Sequence, residues 1–246
     1  MASSSLGFSY RTGDRGLDDI DLHLEPGTDV AVVGETGSGK STFVKLLVRL
    51  ADPSEGELRI GGVPLAEVAA AARHRGIRMV PQDGFLFATA VRENIRFGRP
   101  GATDADIDAA VSELGLGAWV RRLPEGLDTE LGERGGRLSV GERQLVALVR
   151  AQLADPGLLI LDEATSSVDP ETERALGAAL AHLAAGRTTI SVAHRLATAE
   201  QADLVLVFDR GRIVERGPHA ELLELGGVYA ALHESWLGAV TEQAEG

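Results

Sequence analysis

Gly34-Glu35-Thr36-Gly37-Ser38-Gly39-Lys40-Ser41-Thr42 lies between an apolar run, Asp29 to Val33, and a stretch with helical spacing, Gly39 to Leu50. It fits G-x-x-x-x-G-K-[ST] at every fixed position. Glycines adopt backbone angles barred to other residues, so the amides of such a loop can turn inward on a phosphate. The helix start that follows adds partial positive charge. Lys40 can reach the β- and γ-phosphates of a nucleotide, and Ser41 can ligate Mg²⁺. A glycine-rich turn that binds nothing is the alternative. The strand before the loop and the helix after it favour a nucleotide.

Leu158-Leu159-Ile160-Leu161-Asp162-Glu163 supplies what the loop lacks. An apolar strand ending in two carboxylates carries acid to a sheet edge. Asp162 would hold Mg²⁺ directly or through water. Glu163 would polarise the attacking water, a role worth roughly 10² to 10⁴ in rate. An isolated Asp-Glu after a strand is usually a solvated turn; paired with the loop, it reads as part of a Mg-ATP site.

Strand-like runs alternate with helical patterns outward from these segments, which predicts an α/β fold with a largely parallel sheet. Strands are expected at Asp29 to Val33, Glu57 to Ile60, Ile77 to Val80, Leu158 to Leu161, Thr188 to Val192 and Leu204 to Phe208. Helices are expected at Gly39 to Leu50 and Leu65 to Arg75. From about Ala90 to Ala154 the patterns are helical, and Thr103 with Asp106 reads as a capping box. That stretch is read as an inserted lobe. Asp209-Arg210-Gly211-Arg212 reads as a hairpin turn into Ile213 to Glu215, and the polar tail from Thr241 as frayed.

Composition narrows the function. The chain has 246 residues and a formal net charge of −13, a balance that argues against gripping nucleic-acid phosphates. No apolar run approaches the roughly 20 residues needed to cross a bilayer. Met1 to Ser5 lack the regions of a signal peptide, so the chain as written reads as soluble and not secreted. There is no cysteine, which excludes disulfides, zinc-thiolate sites and thiol catalysis. Only two lysines occur, Lys40 and Lys45; a GC-rich genome accounts for that.

Further segments stand in order around the loop and the carboxylate pair. Met79-Val80-Pro81-Gln82-Asp83 comes first. Glu133-Arg134-Gly135-Gly136 and Leu138-Ser139-Val140-Gly141-Glu142-Arg143-Gln144 follow. Asp162 to Asp169 reads Asp-Glu-Ala-Thr-Ser-Ser-Val-Asp, and His194 comes just after Thr188 to Val192. Together they resemble the ATP-binding-cassette (ABC) ATPases over nearly the whole length, and look closest to the nucleotide-binding domains of exporter-type transporters. The segments correspond in turn to the Q-loop, the exporter X-loop, the LSGGQ signature, the Walker B strand with the D-loop, and the switch histidine.

The resemblance implies one ABC ATPase domain over residues 1–246. Its fold is a P-loop NTPase (RecA-like) α/β core, about 1–88 and 155–240, with an antiparallel β subdomain. An α-helical subdomain is inserted at about 89–154, and a tail covers 241–246. It also implies a head-to-tail dimer in which the loop of one chain and the signature of its partner sandwich each ATP. Ser139 and Glu142 form an S-x-x-E capping box, which puts Gly141 in the first turn of a helix with free amides. A capped structural helix is the plainer reading of that segment alone.

Other roles follow from the family match. Gln82 is expected to sense Mg²⁺ or the water, His194 to contact the γ-phosphate and steady Glu163, and Asp169 to act across the dimer. Tyr10 matches the aromatic position that stacks on adenine; a surface or core tyrosine is its alternative.

Two features depart from the usual family pattern. Val140 stands where glycine is common, and its β-branched side chain restricts how closely phosphate approaches. Glu142 stands where glutamine is common and is expected to bring negative charge near phosphate. The site using this signature is thus expected to hydrolyse poorly, as in one half of a heterodimeric exporter; a homodimer is the competing view. The first strand also looks short, with Met1-Ala2-Ser3-Ser4 as an added beginning, which suggests an excised domain with transmembrane helices upstream in the natural chain.

The expected activity is ATP hydrolysis driving an exporter from the cytoplasmic face of the membrane. A soluble, non-transport cassette ATPase and a non-hydrolysing regulator are the alternatives. The X-loop and acidic balance count against the first, and Glu163 against the second. No N-K-x-D segment points to guanine.

Overall fold

The start of the chain folds into an irregular antiparallel hairpin of β1 (Ala2–Ser9) and β2 (Arg15–His23), with Ala2 opposite His23 and Ser9 opposite Arg15. The structure, a computed structural model, describes residues 1–81, 84–162, 169–193 and 196–244. It divides into two units, residues 1–74 with 188–246 and residues 75–187.

In the first unit, β4 (Glu55–Ile60) pairs antiparallel with β1 and carries the short β5 (Val63–Pro64), giving the sheet order β2-β1-β4-β5. A second layer is built on β3 (Asp29–Val33), the strand that feeds the glycine loop. It runs parallel to β8 (Thr188–Val192) on one side and β9 (Leu204–Asp209) on the other. Val30 to Val33 are all buried, as expected for a parallel strand covered on both faces. β9 turns back into β10 (Arg212–Gly217) through Arg210 and Gly211, whose φ angles are 44° and 80°. Two consecutive positive φ values are those of a two-residue type I′ hairpin.

Helix α1 (Lys40–Leu47) follows the loop. Helices α8 (Leu196–Gln201), α9 (His219–Leu225) and α10 (Val228–Ala244) pack at a core containing Val33, Val205, Val207, Leu222 and Tyr229.

The second unit contains the parallel pair β6 (Ile77–Val80) and β7 (Leu158–Asp162), with Ile77 opposite Leu158. Around it lie α3 (Val91–Arg96), α4 (Asp104–Glu113), α5 (Gly117–Arg122), α6 (Val140–Ala154) and α7 (Pro170–Ala184). Thr103 and Asp106 form the expected capping box on α4. One core cluster runs through this unit and includes Ile107, Trp119, Leu145, Val149 and Leu159. Helix α2 (Ala70–Gly76) carries the chain from one unit into the other. Among the described residues, no helix is long and apolar enough to cross a membrane.

Four details differ from the sequence reading. The helix expected over Leu65 to Arg75 forms only from Ala70, because Leu65 is still tied to β4 through its amide and Leu58 O at 2.7 Å. Helix α1 stops before Leu50, which is 74% exposed. Arg49 takes φ 55°, its amide bonds Leu46 O, and the Leu50 amide bonds Lys45 O, so the helix closes in a Schellman motif. The first strand, expected to be short, already begins at Ala2, and the buried Ser3 donates its hydroxyl to Ile20 O at 2.9 Å. Helix α10 continues to Ala244, into the stretch read as a frayed tail.

Candidate functional site

The loop from Gly34 to Gly39 is shaped by backbone geometry that only glycine tolerates well. Gly34 has φ 143°, and a Cβ there would stand 2.2 Å from Phe208 O of β9. The loop thus leaves β3 against a neighbouring strand with no room for a side chain. Gly37 has φ 84° at the exposed tip. The Ser38 carbonyl accepts the Gly211 amide at 2.8 Å, which fastens the loop to the β9–β10 turn.

Lys40 opens α1 and is 7% exposed. Its Nζ donates to Gly34 O at 2.6 Å and Glu35 O at 2.8 Å, with Ser38 Oγ at 3.5 Å. All three partners are neutral oxygens. Burial pushes the ammonium pKa below its ordinary value, with no carboxylate opposing the shift. Among the described residues, this is a buried cation without a counter-charge, at a helix start whose dipole is also positive. Such an arrangement favours an anion.

A cleft of about 500 Å³ opens beside Lys40 and is lined by Tyr10, Thr36, Gly37, Ser41 and Thr42. That volume suits a small-molecule ligand. Ser41 is exposed in the first turn of α1, where its hydroxyl can reach a cation beside bound phosphate. Tyr10 is 41% exposed, and its hydroxyl shares a 2.6 Å hydrogen bond with Thr42 Oγ1. Phe8 meets the Tyr10 ring edge-on at 5.0 Å. The ring is thereby held at the cleft wall with apolar surface available for a flat base. Glu35 and Thr36 are exposed and Ser38 is buried.

Part of this rim lies outside the motifs. Arg15 and Gly16 of β2, and Arg210 and Gly211 of the hairpin turn, also line the cleft. Arg15 is paired with Asp18 at 2.8 Å and Glu55 at 3.1 Å. The Asp209–Arg212 turn was legible, but nothing local to it signalled a cleft.

The second unit carries the signature segment and Asp162. Asp162 ends β7, half-buried after four buried residues. Ser139 is the N-cap of α6: its Oγ accepts the Glu142 amide at 3.2 Å, and Glu142 Oε2 accepts the Ser139 amide at 2.9 Å. The expected capping box is therefore present, with Gly141 in the first turn. Glu142 thus keeps the cap, as expected. Its other oxygen accepts the indole N–H of the buried Trp119 at 3.3 Å, so the carboxylate is turned inward and its charge is spread over two donors. Val140 is 40% exposed on the first turn.

Asp169 also has work within its own chain. It is the N-cap of α7, accepting the amides of Glu171 at 3.2 Å and Thr172 at 3.0 Å. The Thr172 amide is the first cause holding its carboxyl below the ordinary range. Gln82, Glu163 and His194 lie outside the described residues.

Comparison with known proteins places these features in a family. The ABC transporter family model matches residues 17–166. The ATP-dependent lipid A-core flippase of Burkholderia pseudomallei is 46% identical over 233 residues, covering 94% of this chain and 39% of the flippase. Human ATP-binding cassette sub-family B member 6 is 47% identical over 223 residues, covering 91% of this chain and 26% of that protein. Among solved structures, a bacterial Atm1-family ABC exporter with ATP bound superposes with a TM-score of 0.86 at 40% identity, covering 94% of this chain and 40% of the exporter. The chain thus spans well under half the length of these relatives.

Proposed function

The chain belongs to the ABC transporter family as an ATP-binding, ATP-hydrolysing domain homologous to those of exporters, and from that premise we propose that it is the motor of a membrane exporter. The observation that carries the proposal is Lys40, a buried ammonium with only neutral oxygens around it among the described residues, beside a cleft with an aromatic wall. An ATP polyphosphate supplies the missing counter-charge, and adenine stacks on Tyr10.

In this reading Gly34 to Thr42 wrap the phosphates, and Ser41 and Asp162, with Gln82, would hold Mg²⁺. The ion would neutralise charge as the γ-phosphoryl group leaves. Glu163 polarises the attacking water and His194 steadies the γ-phosphate. Catalysis is mainly positioning and charge stabilisation. The domain division proposed is a core at about 1–88 and 155–240 with a helical lobe at about 89–154.

A second nucleotide-binding domain completes each site head to tail, through Ser139, Val140, Gly141, Glu142 and Asp169. Capped α6 supports this, since the cap takes the Glu142 amide and leaves those of Val140 and Gly141 at the helix start. Val140 supports a heterodimer, because a branched side chain at that turn limits the approach of phosphate. The gene next to this one tests that point: a partner with a full carboxylate pair, or no partner, would sink the heterodimer.

The transmembrane partner is proposed to dock on the second unit, placing the motor at the cytoplasmic face. Phe85, Phe87 and Phe97 form an exposed cluster there, with ring centroids 5.0 and 4.3 Å apart. Buried Asn94 braces it, accepting the Phe87 amide at 2.9 Å and donating to Phe87 O at 3.1 Å. An aromatic patch held in place suits a protein partner.

Replacing Glu163 by Gln tests the chemistry. ATP binding should persist while turnover falls by roughly 10² to 10⁴, measured as phosphate release with the partner domain present. Undiminished turnover would remove Glu163 from the mechanism.

A further inference from the structure

The C-terminal helices of the first unit bring together three metal-binding side chains that the ATP site does not use. Glu200 lies on α8, His219 opens α9 and His233 lies on α10. One ligand atom from each falls within 4.8 Å of the other two. Both histidines are half-buried, and Glu200 is exposed.

The spacing is that of a loose ion pair whose ends stand close to the bite of a metal ion. His233 Nε2 and Glu200 Oε1 are 3.7 Å apart, too far for a hydrogen bond. Zinc–nitrogen and zinc–oxygen bonds of about 2.0–2.2 Å at a tetrahedral angle set ligand atoms about 3.4 Å apart. The observed gap is a few tenths of an ångström from that bite. The two imidazole rings lie with centroids 5.4 Å apart, and the ligand atoms are all within 4.8 Å of one another, so closing on one ion draws them together by about 1.4 Å at most.

An outer partner is already in place. His219 Nδ1 and the hydroxyl of fully buried Tyr229 are 2.7 Å apart. With Nδ1–H donating to the phenol oxygen, Nε2 of His219 is left to bind a metal. Metal-ligating histidines are commonly oriented by a second hydrogen bond of this kind.

We propose that Glu200, His219 and His233 form a site for a first-row divalent cation, Zn²⁺ in the first instance, with water in the fourth position. Two imidazoles and one carboxylate select zinc over Mg²⁺ or Ca²⁺, which take oxygen ligands. The ion would tie α8 to α9 and α10. Because α8 begins two residues after His194 in the sequence, occupancy would restrain the segment that follows the proposed switch histidine.

The test uses the full chain, stripped with chelator and free of nucleotide, titrated with ZnCl₂ by calorimetry and with CoCl₂ by visible absorption. One equivalent of zinc should bind saturably, and cobalt should give the intense bands of a tetrahedral site. His233→Ala should weaken zinc at least about tenfold, and Tyr229→Phe about tenfold through lost orientation. Glu200→Gln, at an exposed position and nearly isosteric, gives the answer should the His233 variant not fold. Zinc should also raise the melting temperature of the parent chain but not of a folded ligand variant. Absence of one-equivalent binding, or equal affinity in parent and Glu200→Gln chains, would overturn the proposal.

Discussion

Replacing Lys40 by methionine separates a ligand-binding cation from a structural strut. In the ligand-free chain the ammonium holds Gly34 O at 2.6 Å and Glu35 O at 2.8 Å, and the residue is 7% exposed. Methionine occupies similar space without charge. If a phosphate takes over the ammonium, the variant loses a charge-assisted hydrogen bond of about 1.5–3 kcal/mol. At about 1.4 kcal/mol per decade, ATP affinity should fall roughly 10- to 150-fold.

Stability should respond much less. Glu35 is exposed and Gly34 half-buried, so their carbonyls can bind water in the cleft, and a desolvated charge is removed at the same time. A net change under about 1 kcal/mol moves the melting temperature by only about 2–4 °C in a chain of this size. Titration with a fluorescent ATP analogue, alongside thermal melts without nucleotide, measures both. Unchanged affinity with a melt lowered by more than about 10 °C would make Lys40 a strut and refute the reasoning.

Three further outcomes are expected. Tyr10→Ala should weaken ATP by about 1–3 kcal/mol of lost base stacking, whereas Tyr10→Phe keeps the ring and most of the affinity; equal losses in a binding titration would assign the effect to the Thr42 hydrogen bond. Because burial lowers the Lys40 pKa in the free chain, the ammonium deprotonates below the usual 10.5 and bound phosphate restores it. ATP affinity should therefore be level below that lowered pKa and fall by up to about tenfold per pH unit above it, a slope that calorimetry should find missing in Lys40→Met. Finally, Glu142→Ala removes the acceptor of the Ser139 amide and of the Trp119 indole, costing about 1 kcal/mol for the cap and a further 1–3 kcal/mol for the buried N–H. Glu142→Gln keeps an acceptor oxygen and should melt closer to the parent in scanning calorimetry.

What was legible in the sequence is what short-range chemistry encodes. The strand Asp29–Val33, the glycine loop and the amphipathic helix start form one continuous stretch, so spacing alone identifies them. The capping boxes at Thr103–Asp106 and Ser139–Glu142 join residues three apart on one helical turn, and both form as read. The end of α1 is not legible for a local reason: apolar spacing runs on to Leu50, but Arg49 turns left-handed and the last carbonyls find their partners in a Schellman closure. Leu65 fits helical spacing by sequence alone because its bond to Leu58, across a hairpin, leaves no mark in that spacing.

The sequence by itself determined that Lys40 stands at a helix start behind a glycine loop, and that Ser139 and Glu142 cap α6. Only the tertiary structure decided what surrounds them. The Gly211 amide braces the loop at Ser38, Arg15 and Arg210 edge the cleft, and Trp119 draws the Glu142 charge inward. Glu200, His219 and His233 sit on three helices with no shared pattern, and become neighbours only when those helices pack. A motif records the bonds a segment makes with itself; burial, counter-charge and ligand spacing depend on residues distant in the chain, which meet only through folding.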